Sequence, residues 1–333
     1  MPAKEHKTRL APSPTGALHL GNARSFLINW AIARQRHWNI MLRIEDLDTP
    51  RTKPWAMQQA IDDLQWLGID WDGDPVTQTA DLAPYIEAMD KLAARRLVYP
   101  CALSRNEISQ AASAPQEGSH ELLFPASLRM DESLRPSTFS QHTPPNSSAP
   151  SAMGWRFVVH DVDVGFTDVI AGTQSFNPSN ITGDFVVWTK QDQPAYQLAV
   201  VVDDYRQGIT DVIRGDDLLE STSRQILLGI ALEYITAPED SIHYWHLPLV
   251  VGADGRRLAK RHGDSRLSMY RQKGVSAERV TGLIAAWSGV LPRTEPKPMS
   301  AAEFLVRFRY DRMPRDRVVF TPQDERWLIG DES

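Results

Sequence analysis

From Lys7 onward the chain alternates short apolar runs with amphipathic stretches. The run "KTRLAP" predicts a strand, and "LGNARSFLINWAIARQR" predicts a helix because Phe26, Leu27, Trp30 and Ala31 recur near helical spacing. A second strand is expected at "NIMLRIED". The next stretch, "PWAMQQAIDDLQWLG", predicts a helix that opens on Pro54, keeps Ala60, Ile61, Leu64 and Leu67 on one face and stops at Gly68. The order is βαβα. From about Pro100 to Gly154 this pattern breaks, ending in "RPSTFSQHTPPNSSAPSAMG", whose Pro, Ser and Asn content cannot fill a core and predicts a mobile surface loop at about 131–153. Alternation then resumes. "AYQLAVVVDD" reads as a buried strand, "DVIRG" as another, "DDLLESTSRQILLGIALEY" as a helix and "HYWHLPLVV" as a further strand. Beyond Lys260, "SAERVTGLIAAWSGV" and "SAAEFLVRFRY" predict helices of a small appended region. The expected fold class is α/β, a parallel sheet built from two βα halves split by an insertion. Four segments follow: 1–99, 100–195, 196–265 and 266–333.

Composition narrows the class without identifying a function. The 333 residues are 42% hydrophobic, enough for a sizeable core and about two domains. No run approaches the roughly 18 apolar residues of a membrane span, and "MPAKEHKTRL" lacks the apolar centre of a secretory signal, so a cytoplasmic protein is expected. One cysteine, Cys101, excludes an internal disulfide and a cysteine-rich zinc site. The net charge of -6 argues weakly against general polyanion binding, while leaving room for a local basic patch.

Two stretches carry chemistry. In "RLAPSPTGALHLGNARSFL" the first strand-to-helix turn would lie at the carboxyl edge of a parallel sheet, where free N–H groups at a helix start favour phosphate oxygens. Pro12 and Pro14 stiffen the turn, Gly16 lets a ligand approach, and His19 and Asn22 offer side-chain donors one turn apart. Taken alone, "HLGN" is short enough to recur by accident. The second stretch, "GADGRRLAKRHGD", puts Lys260 in a glycine-flanked basic loop after the last strand. Such charge runs are usually solvated faces. Paired with the first turn, however, it suits a reaction that builds charge on a triphosphate.

Together "RLAPSPTGALHLGNAR", "RIEDLDTPR", "VVDDYRQGITDVIRGDDLLESTSRQILL" and "RRLAKR" resemble the class I glutamyl-type aminoacyl-tRNA synthetases over nearly all of residues 8–265 apart from the insertion. In that family "HLGN" is the HIGH signature and "RLAKR" occupies the KMSKS position, with Ala259 in place of the usual serine. The resemblance implies a Rossmann-type parallel sheet, an inserted α+β acceptor-binding-like subdomain and a short helical C-terminal region like a stem contact. It implies catalytic roles for His19, Asn22 and Lys260, and an ATP site at Pro12, Pro14, Thr15, Gly16, His19, Gly21, Asn22, Leu258 and Lys260, with magnesium on the phosphates. Arg9, Ser13, Glu45, Tyr196 and Arg214 match the family's glutamate contacts. Chemistry supports that set independently, since two carboxylates and one ammonium call for two cationic forks and an anion.

Which hydroxyl accepts the glutamate divides the readings. The extent of the matches and the pair Asp203-Asp204 resemble the glutamyl-Q branch, which esterifies queuosine in the anticodon of tRNA(Asp). The alternatives are a truncated glutamyl-tRNA synthetase charging an acceptor end, and an inactive synthetase-like RNA-binding module. Arg256, Arg257 and Arg261 are candidate phosphate contacts, and a monomer is expected. Relatives hold zinc with a C-x-C pair, a tyrosine and a later cysteine; here Leu103, Phe124 and Leu128 stand at three of those positions. One thiol cannot supply four ligands, so no zinc is expected and packing should hold the subdomain instead.

Overall fold

The computed structural model describes residues 5–49, 51–111, 122–139, 153–237, 240–256, 258 and 265–330. The first strand, β1 (Lys7–Leu10), pairs in parallel with β2 (Asn39–Ile44), which pairs with β3 (Val76–Thr77). The connecting helices are α1 (Leu20–Gln35) and α2 (Pro54–Trp66). Pro54 sits at the start of α2, and Gly68, at φ +79°, reverses the chain in a conformation a side chain would strain. The second half supplies β9 (Asp211–Gly215) and β10 (His243–Leu247), also parallel. The two halves meet where Thr210 N donates to Lys7 O at 2.9 Å. Arg9, Glu45 and Arg214 therefore reach the same carboxyl edge of the sheet.

Between the halves lie α3 (Ala83–Ala94), β4 (Val98–Cys101), α4 (Arg105–Ala111), β5 (Gly154–Phe157), the hairpin β6 (Val164–Asp168) and β7 (Gly172–Phe176), α5 (Pro178–Ile181) and β8 (Phe185–Trp188). Strands β4, β5 and β8 form an antiparallel sheet. Cys101, Leu103, Leu122, Leu128 and Met130 pack around buried Tyr99, Ile108, Phe124 and Val158. Beside them the buried Asp184 carboxylate accepts from Tyr99 Oη at 2.7 Å, Val159 N at 2.8 Å and Arg129 Nη2 at 2.6 Å. An apolar cluster and one carboxylate latch hold this part together.

Three sequence expectations are corrected. "AYQLAVVVDD" is a helix, α6 (Tyr196–Arg206), rather than a strand. Its β-branched run suggested a strand, but α6 is enclosed by α3, α7 (Ser221–Ala231) and β8, so apolar residues are wanted on most of its surface. "HYWHLPLVV" breaks at Pro248 into β10 and β11 (Val250–Val251). The Ser/Pro-rich stretch is also not wholly outside the core. Phe139 is buried edge-on between Trp155 and Trp188, with ring centroids 5.1 and 4.9 Å away; residues 140–152 lie outside the described set.

The C-terminal elements α8 (Leu267–Gln272), α9 (Ala277–Trp287), α10 (Ala301–Arg307), β12 (Val318–Val319) and α11 (Pro322–Ile329) share the first core. One cluster joins Leu10, Leu27 and Ile40 to Leu283, Phe304 and Leu328, and β12 pairs with β11. No described helix is long and apolar enough to cross a membrane.

Phe139→Ala should destabilise the protein by about 3–5 kcal/mol, read as a lower denaturant midpoint at unchanged slope. An unshifted midpoint would place Phe139 outside the core. Cys101→Ser should leave the metal content of the purified protein unchanged, because Cys101 is the chain's one cysteine and no second thiolate packs beside it; a lost equivalent of zinc on elemental analysis would refute this.

Candidate active site

The pocket is organised from below by a cation that the sequence reading did not single out. Arg43, on β2, is fully buried and reaches Asp204 at 2.7 Å, Gln207 at 2.9 Å and Glu45 at 3.2 Å, with Asp203 at 3.8 Å. Asp204 also receives Arg9 Nε at 3.3 Å. Asp203 is satisfied separately by Gln78 at 2.7 Å, Tyr85 at 2.9 Å and Arg206 at 2.8 Å. Burial would raise the Asp204 carboxyl, but Arg43 and Arg9 outweigh it and hold the pKa below the usual value. At Glu45 burial wins over the same two cations, and its pKa is raised.

Around this base stand the predicted glutamate contacts. Arg214, Glu45 and Arg9 all lie within electrostatic reach of the Tyr196 hydroxyl, so four of the five are brought together. Among the described residues Arg9 bonds through Nε alone, which leaves its terminal nitrogens for a ligand. Ser13 is exposed in the preceding turn, where Thr15 N donates to its carbonyl at 2.9 Å. Tyr196 itself opens α6 and, with Gln197, Arg224, Arg156 and Asp184, lines a cavity of about 430 Å³ against the inserted subdomain.

Arg214 is held by a chain of buried groups. Its Nε donates to His246 Nε2 at 3.0 Å and its Nη2 to Thr222 Oγ1 at 2.8 Å, leaving Nη1 without a partner among the described residues. His246 Nδ1 in turn lies 2.6 Å from Asp168 Oδ2. An acceptor at Nε2 requires the proton on Nδ1, so the ring is neutral and donates to Asp168. Burial lowers the His246 pKa and the Arg214 charge adds to this, although Asp168 opposes both. Sequence reasoning missed His246 and Asp168. The only signal for His246 was a histidine within an apolar run read as a strand, and Asp168 ends a hairpin strand that the sequence reading does not assign.

The "HLGN" turn differs from expectation. His19 is the N-cap of α1; its Nδ1 accepts from Gly21 N at 3.1 Å and Asn22 N at 3.4 Å, while Asn22 Oδ1 accepts from His19 N at 3.1 Å. Leu20 N donates to Ser265 O, and Ala23 N to His19 O. The first-turn amides expected to be free for phosphate are thus occupied, because the imidazole folds back over them. Two N–H groups at Nδ1 put the ring proton on Nε2, away from the helix. Gly21 permits this fold, since a Cβ there would lie 3.0 Å from the His19 ring. Ahead of it, Pro12 O accepts from Glu45 N at 3.0 Å and Pro14 O from Lys53 N at 2.9 Å, which fixes the turn against the end of β2. A Cβ at Gly16 would meet nothing within 4 Å, so the space before it is open.

Arg24, also in α1, is buried and donates to Pro248 O at 2.6 Å. Burial pushes its pKa down to about 10, against a raising effect from Asp216. In the second basic stretch Leu258 is buried and Arg256 is exposed. Arg257, Ala259, Lys260 and Arg261 lie outside the described residues. Beyond them, Leu267 N donates to Leu18 O at 2.9 Å, so the chain re-enters beside the "HLGN" turn.

Residues 5–322 match the family model described as tRNA synthetases class I (E and Q), catalytic domain. The chain belongs to this family. Membership makes it a ligase of the aminoacyl-tRNA synthetase type. A glutamyl-Q tRNA(Asp) synthetase of Rhodopirellula baltica is 45% identical over 295 residues, covering 86% of each chain. One from Symbiobacterium thermophilum is 42% identical over 322 residues, covering 93% of this chain and 94% of that one. A glutamate–tRNA ligase of Synechococcus sp. is 34% identical, and this chain spans 66% of its length. Among solved structures, a glutamate tRNA ligase from Elizabethkingia meningosepticum superposes with a TM-score of 0.75 at 23% identity, covering 97% of this chain and 68% of that one. That likeness shows the class I synthetase fold.

Because His246 titrates lower in the folded than in the unfolded protein, its contribution to stability is complete above about pH 6.5 and is lost as pH falls through the depressed value. Unfolding free energy should therefore decline over that window in the wild type and decline less in His246→Gln, whose amide oxygen can still accept from Arg214. Identical slopes, measured by denaturant melts across pH, would show that His246 is not held neutral.

Proposed function

We propose that the chain activates L-glutamate with ATP and transfers it to queuosine in the anticodon of tRNA(Asp). An oxygen of the glutamate α-carboxylate attacks the α-phosphorus of ATP, the bond to the β-phosphate breaks, and pyrophosphate leaves glutamyl-adenylate behind. A queuosine hydroxyl then attacks the acyl carbon and AMP departs. No protein nucleophile takes part. Arg9 and Arg214 bind the two carboxylates and Glu45 receives the ammonium, while Ser13 and Tyr196 complete the pocket. His19 donates from Nε2 to a phosphate oxygen beside Asn22, and Lys260 offsets the charge that builds on the leaving group. Pro12, Pro14, Thr15, Gly16, Gly21 and Leu258 shape the ATP site. Residues 12–22 contain no carboxylate, so magnesium would be held by the phosphate oxygens and supply charge there.

The observation that carries this reading is the gathering of two arginines with unused N–H groups and one carboxylate around Tyr196. That is the complement of a free acidic amino acid. The acceptor rests on the glutamyl-Q relatives, which match nearly end to end at 42–45% identity. A modified base entering the site would be extruded and read by edge contacts and stacking, and the cavity beside Tyr196 has room for it.

Glutamate-dependent pyrophosphate–ATP exchange should proceed without RNA, and labelled glutamate should pass to queuosine-containing tRNA(Asp) but to neither queuosine-free tRNA(Asp) nor tRNA(Glu). Efficient charging of tRNA(Glu) would instead mark a glutamate–tRNA ligase. Absence of exchange with every amino acid would mark a binding module. Arg214→Ala should abolish exchange while ATP still binds. His246→Ala should raise the glutamate KM by roughly ten- to hundredfold, the equivalent of a lost bond to a charged group, and His246→Gln should restore most of it.

A further inference from the structure

The strands that carry Arg9, Arg214 and His246 begin at the opposite edge of the sheet. His6 precedes β1, Asp211 opens β9 and His243 opens β10, paired in register with Asp211. Each stands three residues before a pocket residue on its own strand, roughly 10 Å away. His6 Nδ1 lies 2.8 Å from Asp211 Oδ2, and His243 Nδ1 lies 3.6 Å from Asp211 Oδ1. The three donor atoms fall within 4.8 Å of one another, the one such group of three found among the described residues. The geometry points to a surface site for a divalent transition metal, ligated by His6, Asp211 and His243.

Three features distinguish this group from a chance ion pair. The carboxylate is fixed from inside: its side chain is 2% exposed, Trp245 Nε1 donates to Oδ1 at 3.1 Å and Thr210 Oγ1 to Oδ2 at 2.8 Å. Bonds of this kind orient a ligand carboxylate and leave further lone pairs for an ion. Both imidazoles, in contrast, are open to solvent at 44% and 60% exposure, which provides an entry path and room for water ligands. Finally, the His6 ring is stacked between Trp38, at 5.3 Å, and His243, at 6.0 Å, so the nitrogens are oriented before any ion arrives.

The donor set selects the ion. Two imidazoles and one carboxylate suit zinc, cobalt, nickel or copper better than magnesium or calcium, which take oxygen donors. An ion about 2.0–2.2 Å from each donor requires the His6–Asp211 contact to widen by a few tenths of an ångström and the exposed His243 ring to swing inward, the Nδ1 proton of His6 passing to Nε2. Arg36 lies over the Trp38 and Trp245 rings on the same edge. With that cation nearby and only three protein ligands, the site binds reversibly and is distinct from the family's cysteine site, whose positions carry Leu103, Phe124 and Leu128.

The test is titration of chelator-stripped full-length protein with Co(II), followed by its visible spectrum, and with Zn(II) by calorimetry. One equivalent should bind at micromolar concentration. Single variants His6→Ala and His243→Ala should each weaken binding by about tenfold or more, Asp211→Asn should do likewise, and His160→Ala should not. At equal micromolar zinc the melting temperature of the wild type should rise more than that of His243→Ala, whose metal-free melting temperature serves as the folding control. Saturation only at millimolar metal, or unweakened binding in both histidine variants, would overturn the site. None of these readouts depends on the reaction catalysed.

Discussion

The buried guanidinium of Arg43 is the constraint on which the pocket depends. A cation placed fully inside the protein is tolerated only where several anions and acceptors surround it, and Asp204, Glu45, Gln207 and Asp203 do so from β2 and α6. Those same carboxylates are then shared outward, Asp204 with Arg9 and Glu45 with the open pocket. The charge of the candidate pocket is thereby set from beneath, by a fully buried group. It also ties the first half of the sheet to the second, since Arg43 and Asp204 are 161 residues apart.

A similar division of labour recurs at Arg214 and His19. Asp168 and His246 fix one edge of the Arg214 guanidinium and leave Nη1 toward the pocket, while the first-turn amides of α1 fix one nitrogen of His19 and turn the other outward. In each case the scaffold fixes the orientation of a polar side chain. Orientation set in this way would lower the entropy lost when a ligand engages these groups.

Much of this was legible in the sequence, and unevenly so. The βα order and the turn at Pro12 to His19 could be read from periodicity, and Arg9, Glu45 and Arg214 from charges at strand ends that interrupt apolar runs; Tyr196, which opens a helix, was reached only through the family resemblance. Supporting groups could not be read. Arg43, Asp168 and His246 lie within strands and are paired through contacts 161, 78 and 32 residues away in sequence, and no local pattern encodes such pairs. The reading of α6 as a strand has a related cause: a helix enclosed by α3, α7 and β8 loses the polar face that separates the two periodicities. Phe139 escaped notice because a single aromatic ring in a Ser/Pro-rich context gives no period at all. The occupied amides of α1 were missed because a histidine cap is not among the side chains usually expected there.

The shared core of the first sheet and the C-terminal helices has a consequence for synthesis. Leu10, Leu27 and Ile40 share one core with Leu283, Phe304 and Leu328, and β11 finds its partner strand 68 residues later. At about 5–20 residues per second, roughly 15–60 s separate translation of α1 from translation of the residues that cover it. During that interval α1 can pack on β1 and β2, while the part of its face that α10 covers has no native partner. A chain growing from the N-terminus can therefore complete this core only once α9, α10 and α11 have been made.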